Sequence, residues 1–491
     1  MFEKILIANR GEIAVRIIST CREMGVRTVA VHSHADRGAL HARLADEAVD
    51  VGPAPASESY LNGERLIEVA LVTGAQAVHP GYGFLAENAT FARSVCEAGL
   101  VWIGPPAEAI AQMGDKLSAR TLAEAAGVPL VPGSRVLESV KEVSSTAQQL
   151  GYPVLLKASA GGGGKGMRAV RTPDDIEAAF ERARSEAQRS FGCPDLYLEK
   201  LVPQAKHVEM QVFSDGHGAH LWLGERECSI QRRHQKLVEE SPSVVLSEAQ
   251  RRQMGSDAVS LAQRCGYRGA GTVEFLYDVQ AKNYYFLEMN TRLQVEHPVT
   301  EMVTGLDLVA WQLRVAAGEA LPLRQDQIQR RGVAVECRIY AEDPLDFLPS
   351  TGRLYAFVPP EGPGVRLDSG VEQGDEVGPY YDPLLAKLVA HGHDRAQAIE
   401  RLKDALDRFA IAGVTTNVAY HRALLDEPDF QAGKHLTDFV ETHSLAVGLD
   451  ALGENEAQTL AGALYALHEQ RERRLRQALK ATPDGWPQGE R

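Results

Sequence analysis

The chain has 491 residues, with 66 acidic against 52 basic side chains, a formal net charge of −14, and 44% apolar and 24% charged residues. That length exceeds one compact core and calls for several domains of about 100–200 residues each, while the acidic balance excludes a general nucleic-acid binder, which needs a broad basic face. No stretch approaches the ~20 uninterrupted apolar residues that cross a bilayer. Met1–Ala8 lacks the basic start and long apolar run of a secretory signal. The six cysteines are scattered without a Cys-x-x-Cys pair, which points away from disulfides and structural zinc and toward a reducing cytoplasm.

In chain order, Lys4–Ala8, Thr28–Val31, Ala75–His79 and Val101–Ile103 read as strands, and Ile13–Met24, Leu61–Val72 and Ala89–Ala98 as helices. This alternation predicts a mainly parallel, Rossmann-like α/β sheet over residues 1–115. Asn9-Arg10-Gly11-Glu12 follows the first strand with one glycine where a dinucleotide fingerprint needs three, so no NAD site is expected. A second unit starts at Asp115-Lys116. It contains Pro153–Lys157, a buried-strand pattern, and then the glycine run Gly161–Gly164. Tyr267–Glu296 is strand-rich. From Gly332 the pattern changes again: Val333–Tyr340 alternates with period two, Gly/Pro turns follow, and Asp394–Leu406 is helical. In the tail, Leu460, Leu464, Leu467, Leu475 and Leu479 fall near helical spacing beside Arg471, Arg473, Arg474 and Arg476. They predict an amphipathic helix that either packs on its own domain or docks a partner.

Three constellations carry chemistry. The first is Glu288-Met-Asn-Thr-Arg-Leu-Gln-Val-Glu296. Read as an extended segment, it lines one face with Glu288, Asn290, Arg292, Gln294 and Glu296. A hairpin with Thr272–Tyr277, turning near Ala281, sets Glu274 opposite Glu288. Like charges directly opposite destabilise a sheet. A divalent cation between them resolves the conflict, and oxygen-only ligands, with Asn290 as a third, suit Mg²⁺ or Mn²⁺. The second is Lys157-Ala-Ser-Ala-Gly-Gly-Gly-Gly-Lys-Gly166. Its glycines allow backbone N–H groups to approach phosphate oxygens, but no Ser or Thr follows as a Walker A loop requires. The third is Glu225–Lys236, with three cations and His234 within its last five positions. It reads as either a solvated charged face or an anion site.

Together, Met-Gly-Asp-Lys116, the Gly161–Gly166 loop, Gln231–Lys236, Gly271–Phe275, Glu288–Thr300, His79–Phe84 and Val335–Ile339 resemble the biotin carboxylase family of the ATP-grasp superfamily over residues 1 to about 445. The resemblance implies a mixed α/β and α+β multidomain fold. It divides the chain into a Rossmann-like domain (1–115), an ATP-grasp domain (116–330) with a mobile glycine-rich lid at about 133–203, a C-terminal biotin carboxylase domain (331–445), and a helical tail of unknown role (446–491).

It also implies that Lys116, Lys157, Gly163, Gly164, Glu199, Lys200, His207, Gln231, His234 and Leu276 surround ATP, together with Glu274 and Glu288. Glu274, Glu288 and Asn290 would hold Mg²⁺ or Mn²⁺. Lys236, Arg292, Gln294 and the Val295 backbone would hold bicarbonate, Glu296 would be the base, Arg338 would face the biotin ureido oxygen, and Tyr82 and Gly83 would lie beside biotin. Glu87 would pair with the anion-site lysine. Ala160 stands where many members of the family have another glycine and Lys165 where some carry arginine, and neither removes a donor that catalysis needs.

Without an Ala-Met-Lys-Met site, the expected partners are a biotin carrier protein and carboxyltransferase subunits in separate chains, as in acetyl-CoA or another acyl-CoA carboxylase. Biotin would be a carrier-bound substrate, and the resemblance suggests a cytoplasmic homodimer. The alternative is another ATP-grasp ligase joining a carboxylate to an amine through an acyl phosphate.

Overall fold

The computed structural model describes residues 1–159, 166–233, 235–445 and 447. The helical reading of the tail, and Gly163, Gly164 and His234 among the site residues, fall outside the described residues.

The first sheet is parallel, with order β3-β2-β1-β4-β5: β1 (Lys4–Ile7), β2 (Arg27–Ser33), β3 (Glu47–Gly52), β4 (Ala77–His79) and β5 (Val101–Trp102). Helices cover both faces, so β1 is buried at all four positions, and after Lys4 it reads as three apolar residues in a row rather than an alternation. Two of those helices, Gly63–Val72 and Ala89–Glu97, start where Asn62 and Asn88 accept a hydrogen bond from the N–H three residues on.

A second, smaller sheet has the order β6-β9-β7-β8: β6 (Gly133–Leu137), β7 (Val154–Ala158), β8 (Met167–Val170) and β9 (Leu196–Lys200). The helices Val140–Leu150 and Ile176–Phe191 close it over a separate aliphatic core that includes Val143, Ala147, Leu156, Ala183 and Leu198.

The third sheet is antiparallel and eight-stranded among the described residues, with order β14-β13-β10-β11-β12-β15-β20-β18. Its strands are β10 (Ala205–Ser214), β11 (His220–Arg232), β12 (Gln235–Ser241), β13 (Gly269–Asp278), β14 (Asn283–Asn290) and β15 (Val333–Tyr340), then β18 (Val365–Ser369) and β20 (Leu384–Gly392). Three two- or three-residue strands, β16 (Gly352–Arg353), β17 (Ala356–Val358) and β19 (Glu376–Val377), lie outside it. β12 pairs directly with β15, so one sheet runs through both the central and the last third of the chain. On β10, Val208, Met210 and Val212 join Met254, Ala258 and Leu261 of the helix Glu248–Arg264 in an apolar core. The alternate residues His207, Glu209 and Gln211 therefore face the other way.

The helix expected over Asp394–Leu406 spans Arg395–Arg408, with Asp394 as its cap. The six cysteines are free. Among the described residues no helix is long and apolar enough to cross a membrane.

Candidate active site

The site is built on the polar face of the eight-stranded sheet. Cross-strand register sets Arg226, Glu209, Glu274 and Glu288 in one row over β11, β10, β13 and β14. Glu274 and Glu288 are the opposed pair expected from the hairpin, and the turn lies between Asp278 and Asn283. A bulge makes this possible. Phe275 pairs with Phe286, but Glu274 pairs with Glu288, so Leu287 is the extra residue. Phe286 and Met289, three positions apart, thereby both reach the apolar core while Glu288 and Asn290 reach the charged face.

The extended reading of the whole segment to Glu296 is corrected. β14 ends at Asn290, and a helix begins at His297 with Glu296 at its N-terminal boundary. The side chains converge through a turn instead of along a strand. Arg292 donates to Gln294 at 2.9 Å and to the Asn290 oxygen at 3.1 Å. The Asn290 amide donates to Glu274 at 2.8 Å.

Lys236 stands at the centre. Its ammonium donates to Glu209 at 2.5 Å, Glu296 at 2.7 Å and Glu274 at 2.9 Å. Three carboxylates hold this buried lysine charged against the cost of desolvation, so its pKa lies well above the usual value. Burial pushes the Glu296 carboxyl up, but Lys236 and Arg338 outweigh it and leave it below the usual value. Burial alone would lower His207, yet Glu274 at 3.1 Å raises its imidazole to about 9. Glu288 is raised, first by burial and then by the charge of Glu274. The carboxylates of Glu274 and Glu288, opposed across the hairpin, and the Asn290 oxygen give an all-oxygen donor set that fits a hard divalent cation.

Arg338 on β15 donates to Glu296 at 2.9 Å and to Glu239 at 2.6 Å. Lys157 donates to Glu199 at 2.9 Å, and Arg120 pairs with the same carboxylate. Burial and the neighbouring charge of Lys157 depress the Lys116 ammonium. Lys200, one residue after Glu199 on β9, points to the opposite face and donates to the Gly151 and Tyr152 carbonyls at 2.7 and 3.1 Å. Its ammonium thus does not join Lys157 and Glu199. Gln231 is the register partner of Lys236, and Leu276 that of His207.

Tyr82 and Gly83 sit in the loop after β4, where Asn9 donates to the Pro80 and Tyr82 carbonyls, both at 2.7 Å. Gly81 has φ +63° there, and a Cβ would meet the Asn9 amide at 3.0 Å, so the turn requires glycine. The expected pairing of Glu87 with the anion-site lysine is corrected. Glu87 accepts from Arg292 at 2.8 Å and from the Thr291 N–H at 3.0 Å, whereas Lys236 is taken by its three carboxylates. Glu87 is an exposed loop residue, so its carboxylate meets the partly exposed Arg292 rather than the buried ammonium.

The sequence reading missed Glu209, Arg226 and Glu239, all at most 1% exposed. The signal for Glu209 was present in His207-x-Glu209-x-Gln211, a polar alternation through an otherwise apolar strand. Arg226 lay in the charged stretch read as either a solvated face or an anion site. It is fully buried and donates to Glu209, Gln211, Thr272 and Thr300.

Comparison with known proteins adds independent findings. Residues 1–110 match the biotin carboxylase N-terminal domain, 115–324 the carbamoyl-phosphate synthase L chain ATP-binding domain, and 336–442 the biotin carboxylase C-terminal domain. Biotin carboxylase 1 of Bacillus subtilis is 51% identical over 447 residues, covering 91% of this chain and 99% of that protein. The crystal structure of a Campylobacter jejuni biotin carboxylase–ATP complex superposes with a TM-score of 0.87 at 44% identity, covering 90% of this chain and 99% of the other. The biotin carboxylase domain dimer of the Hydrogenobacter thermophilus 2-oxoglutarate carboxylase, solved with MgADP and bicarbonate, gives 0.86 at 47% identity, covering 90% and 98%.

Proposed function

The chain belongs to the biotin carboxylase family of ATP-dependent ligases, and from that premise we propose how its residues divide the carboxylation of biotin by ATP and bicarbonate. The observation that carries the reading is Lys236 joining Glu209, Glu274 and Glu296 beside Arg338 and Arg292. Such a group can hold a small oxyanion and remove its proton.

In this reading Glu296 takes the proton of bicarbonate, and its lowered pKa keeps it ionised for that task. Lys236, Arg292, Gln294 and the Val295 backbone hold the anion as charge develops on it. The oxyanion attacks the γ-phosphorus of ATP, and Lys116 and Lys157 stabilise the transferring phosphoryl group. Glu199, His207, Gln231 and Leu276 border the nucleotide. Glu274, Glu288 and Asn290 would hold Mg²⁺ or Mn²⁺, which neutralises phosphate charge. The carboxyphosphate so formed splits into CO₂ and phosphate, the phosphate takes the N1′ proton of biotin, and the ureido nitrogen attacks CO₂ while Arg338 stabilises the negative charge on the ureido oxygen beside Tyr82 and Gly83. Water must be excluded because it destroys carboxyphosphate.

The biotin is carried by a separate carrier protein, a carboxyltransferase uses the product, and the enzyme works as a cytoplasmic homodimer. The dimeric Hydrogenobacter relative supports the last point.

ADP release with ATP, Mg²⁺ and bicarbonate, with and without free biotin, tests the reading. Bicarbonate-dependent release stimulated by biotin is expected. Release that needs an amine acceptor and ignores biotin would establish the other ATP-grasp ligase instead. Arg338→Ala should lower biotin carboxylation more than bicarbonate-dependent ATP cleavage. Because Arg338 also holds Glu296, cleavage should fall too, by about tenfold. Equal losses would remove Arg338 from the biotin step.

A further inference from the structure

One buried charge serves the site from behind without touching any of its carboxylates. Lys387 on β20 is 0% exposed. Its ammonium donates to the Val295 carbonyl at 2.8 Å and lies 3.1 Å from Glu12 and 3.7 Å from Asp368. These groups come from four separate parts of the chain. Glu12 is in the first turn of the helix Gly11–Glu23, Asp368 is on β18, and Val295 is in the turn leading to the Glu296 boundary. The parts are closely fitted, since a Cβ on Gly370, just past β18, would meet the Glu12 nitrogen at 2.5 Å.

A buried ammonium is costly unless its three donors are used. Here a backbone carbonyl takes one of them, so the charge holds a peptide plane as well as two carboxylates. That plane is the one joining Val295 to Glu296. Fixing its carbonyl fixes the direction in which the chain enters Glu296 and the orientation of the Val295 backbone. In the sheet register Lys387 lies opposite Arg338. One cation therefore grips the Glu296 side chain and its neighbour grips the carbonyl just before it.

We propose that Lys387 is a positioning residue for bicarbonate activation: by clamping the Val295 carbonyl it holds both the backbone that binds the anion and the carboxylate that deprotonates it. This rests on the bicarbonate reading above. It assigns Lys387 no contact with substrate.

The test is steady-state kinetics of Lys387→Met, of the double variant Lys387→Met/Glu12→Gln, and of Lys387→Arg, with thermal melting of each. Removing both charges of the buried pair should return most of the melting temperature lost in the single variant. The bicarbonate KM should nevertheless stay raised about tenfold or more, with the ATP KM within about twofold of the parent. Lys387→Arg keeps a buried cation beside Glu12, but its planar fork cannot occupy the ammonium's place. It should fold even if the methionine variants do not, and still raise the bicarbonate KM. A bicarbonate KM within about twofold of the parent in any folded variant overturns the proposal. So does a loss in which both substrates' KM values move together with the melting temperature. A parent enzyme without bicarbonate-dependent ADP release would overturn the function reading along with it. An active parent with unaffected variants overturns only the role of Lys387.

Discussion

The parallel sheet of the N-terminal region and the eight-stranded antiparallel sheet solve the same burial problem differently. In the first, helices cover both faces, and β1 carries Lys4, Ile5, Leu6 and Ile7 with no free face on which to place chemistry. Its functional candidates are confined to the loops at the strand ends, as with Tyr82, Gly83 and Glu87. In the second, one face packs on the helix Glu248–Arg264, and the other carries Arg226, Glu209, Glu274 and Glu288 in a row, with Arg226 and Glu209 completely buried. A doubly covered sheet confines function to its rim. A singly packed sheet can bury a charged surface, provided each charge is paired.

The comparison predicts that changes on the charged face remove chemistry, and that the pairing rule governs their structural cost. The largest effect is expected for Glu296→Gln, which should cut bicarbonate-dependent ATP cleavage by about 10²–10⁴-fold while ATP binding persists. Parent-like turnover would take Glu296 out of the base role. Next comes Arg226→Met. It leaves Glu209 with Lys236 and His207 but without its guanidinium partner, and strands the polar partners of Arg226, Gln211, Thr272 and Thr300. A loss of about 3–5 kcal/mol is expected by denaturant melting, as for one partner removed from a buried pair. A loss under about 1 kcal/mol would mean that the row does not need its terminal cation.

The smallest and most discriminating test sits where the helix Gly11–Glu23 meets β20. Burial raises the Glu12 carboxyl to about 7, against the pull of Lys387. A folded-state pKa above the unfolded value means that the folded chain binds this proton more tightly. Its stabilising contribution is full below about 4.5 and is lost as pH rises toward 7. Glu12→Gln should flatten the melting temperature against pH across that window, with a difference on the order of 3 kcal/mol at its ends. An unchanged slope would show that Glu12 stays ionised throughout.

Much of this was legible along the chain because it depends on short-range periodicity. The alternation in Val333–Tyr340 matches β15, and the βαβ rhythm of the first hundred residues matches the parallel sheet. The opposition of Glu274 and Glu288 followed from a turn near Ala281. Less legible was anything set by a bulge or by distant partners. The Leu287 bulge, the break of the strand after Asn290 and the pairing of Glu87 with Arg292 depend on contacts a linear pattern does not encode.

Taken alone, then, the order of residues determined the alternation of strands and helices in the first hundred residues, the family motifs and most of the side chains that are candidates for chemistry. Folding decided which charges are buried and with whom. Lys387 reaches Val295 across 92 positions, and Arg338 reaches Glu296 across 42. The reason is that the state of a buried charge depends on the partners that desolvation forces it to find. Those partners are chosen by packing in three dimensions rather than by spacing along the chain.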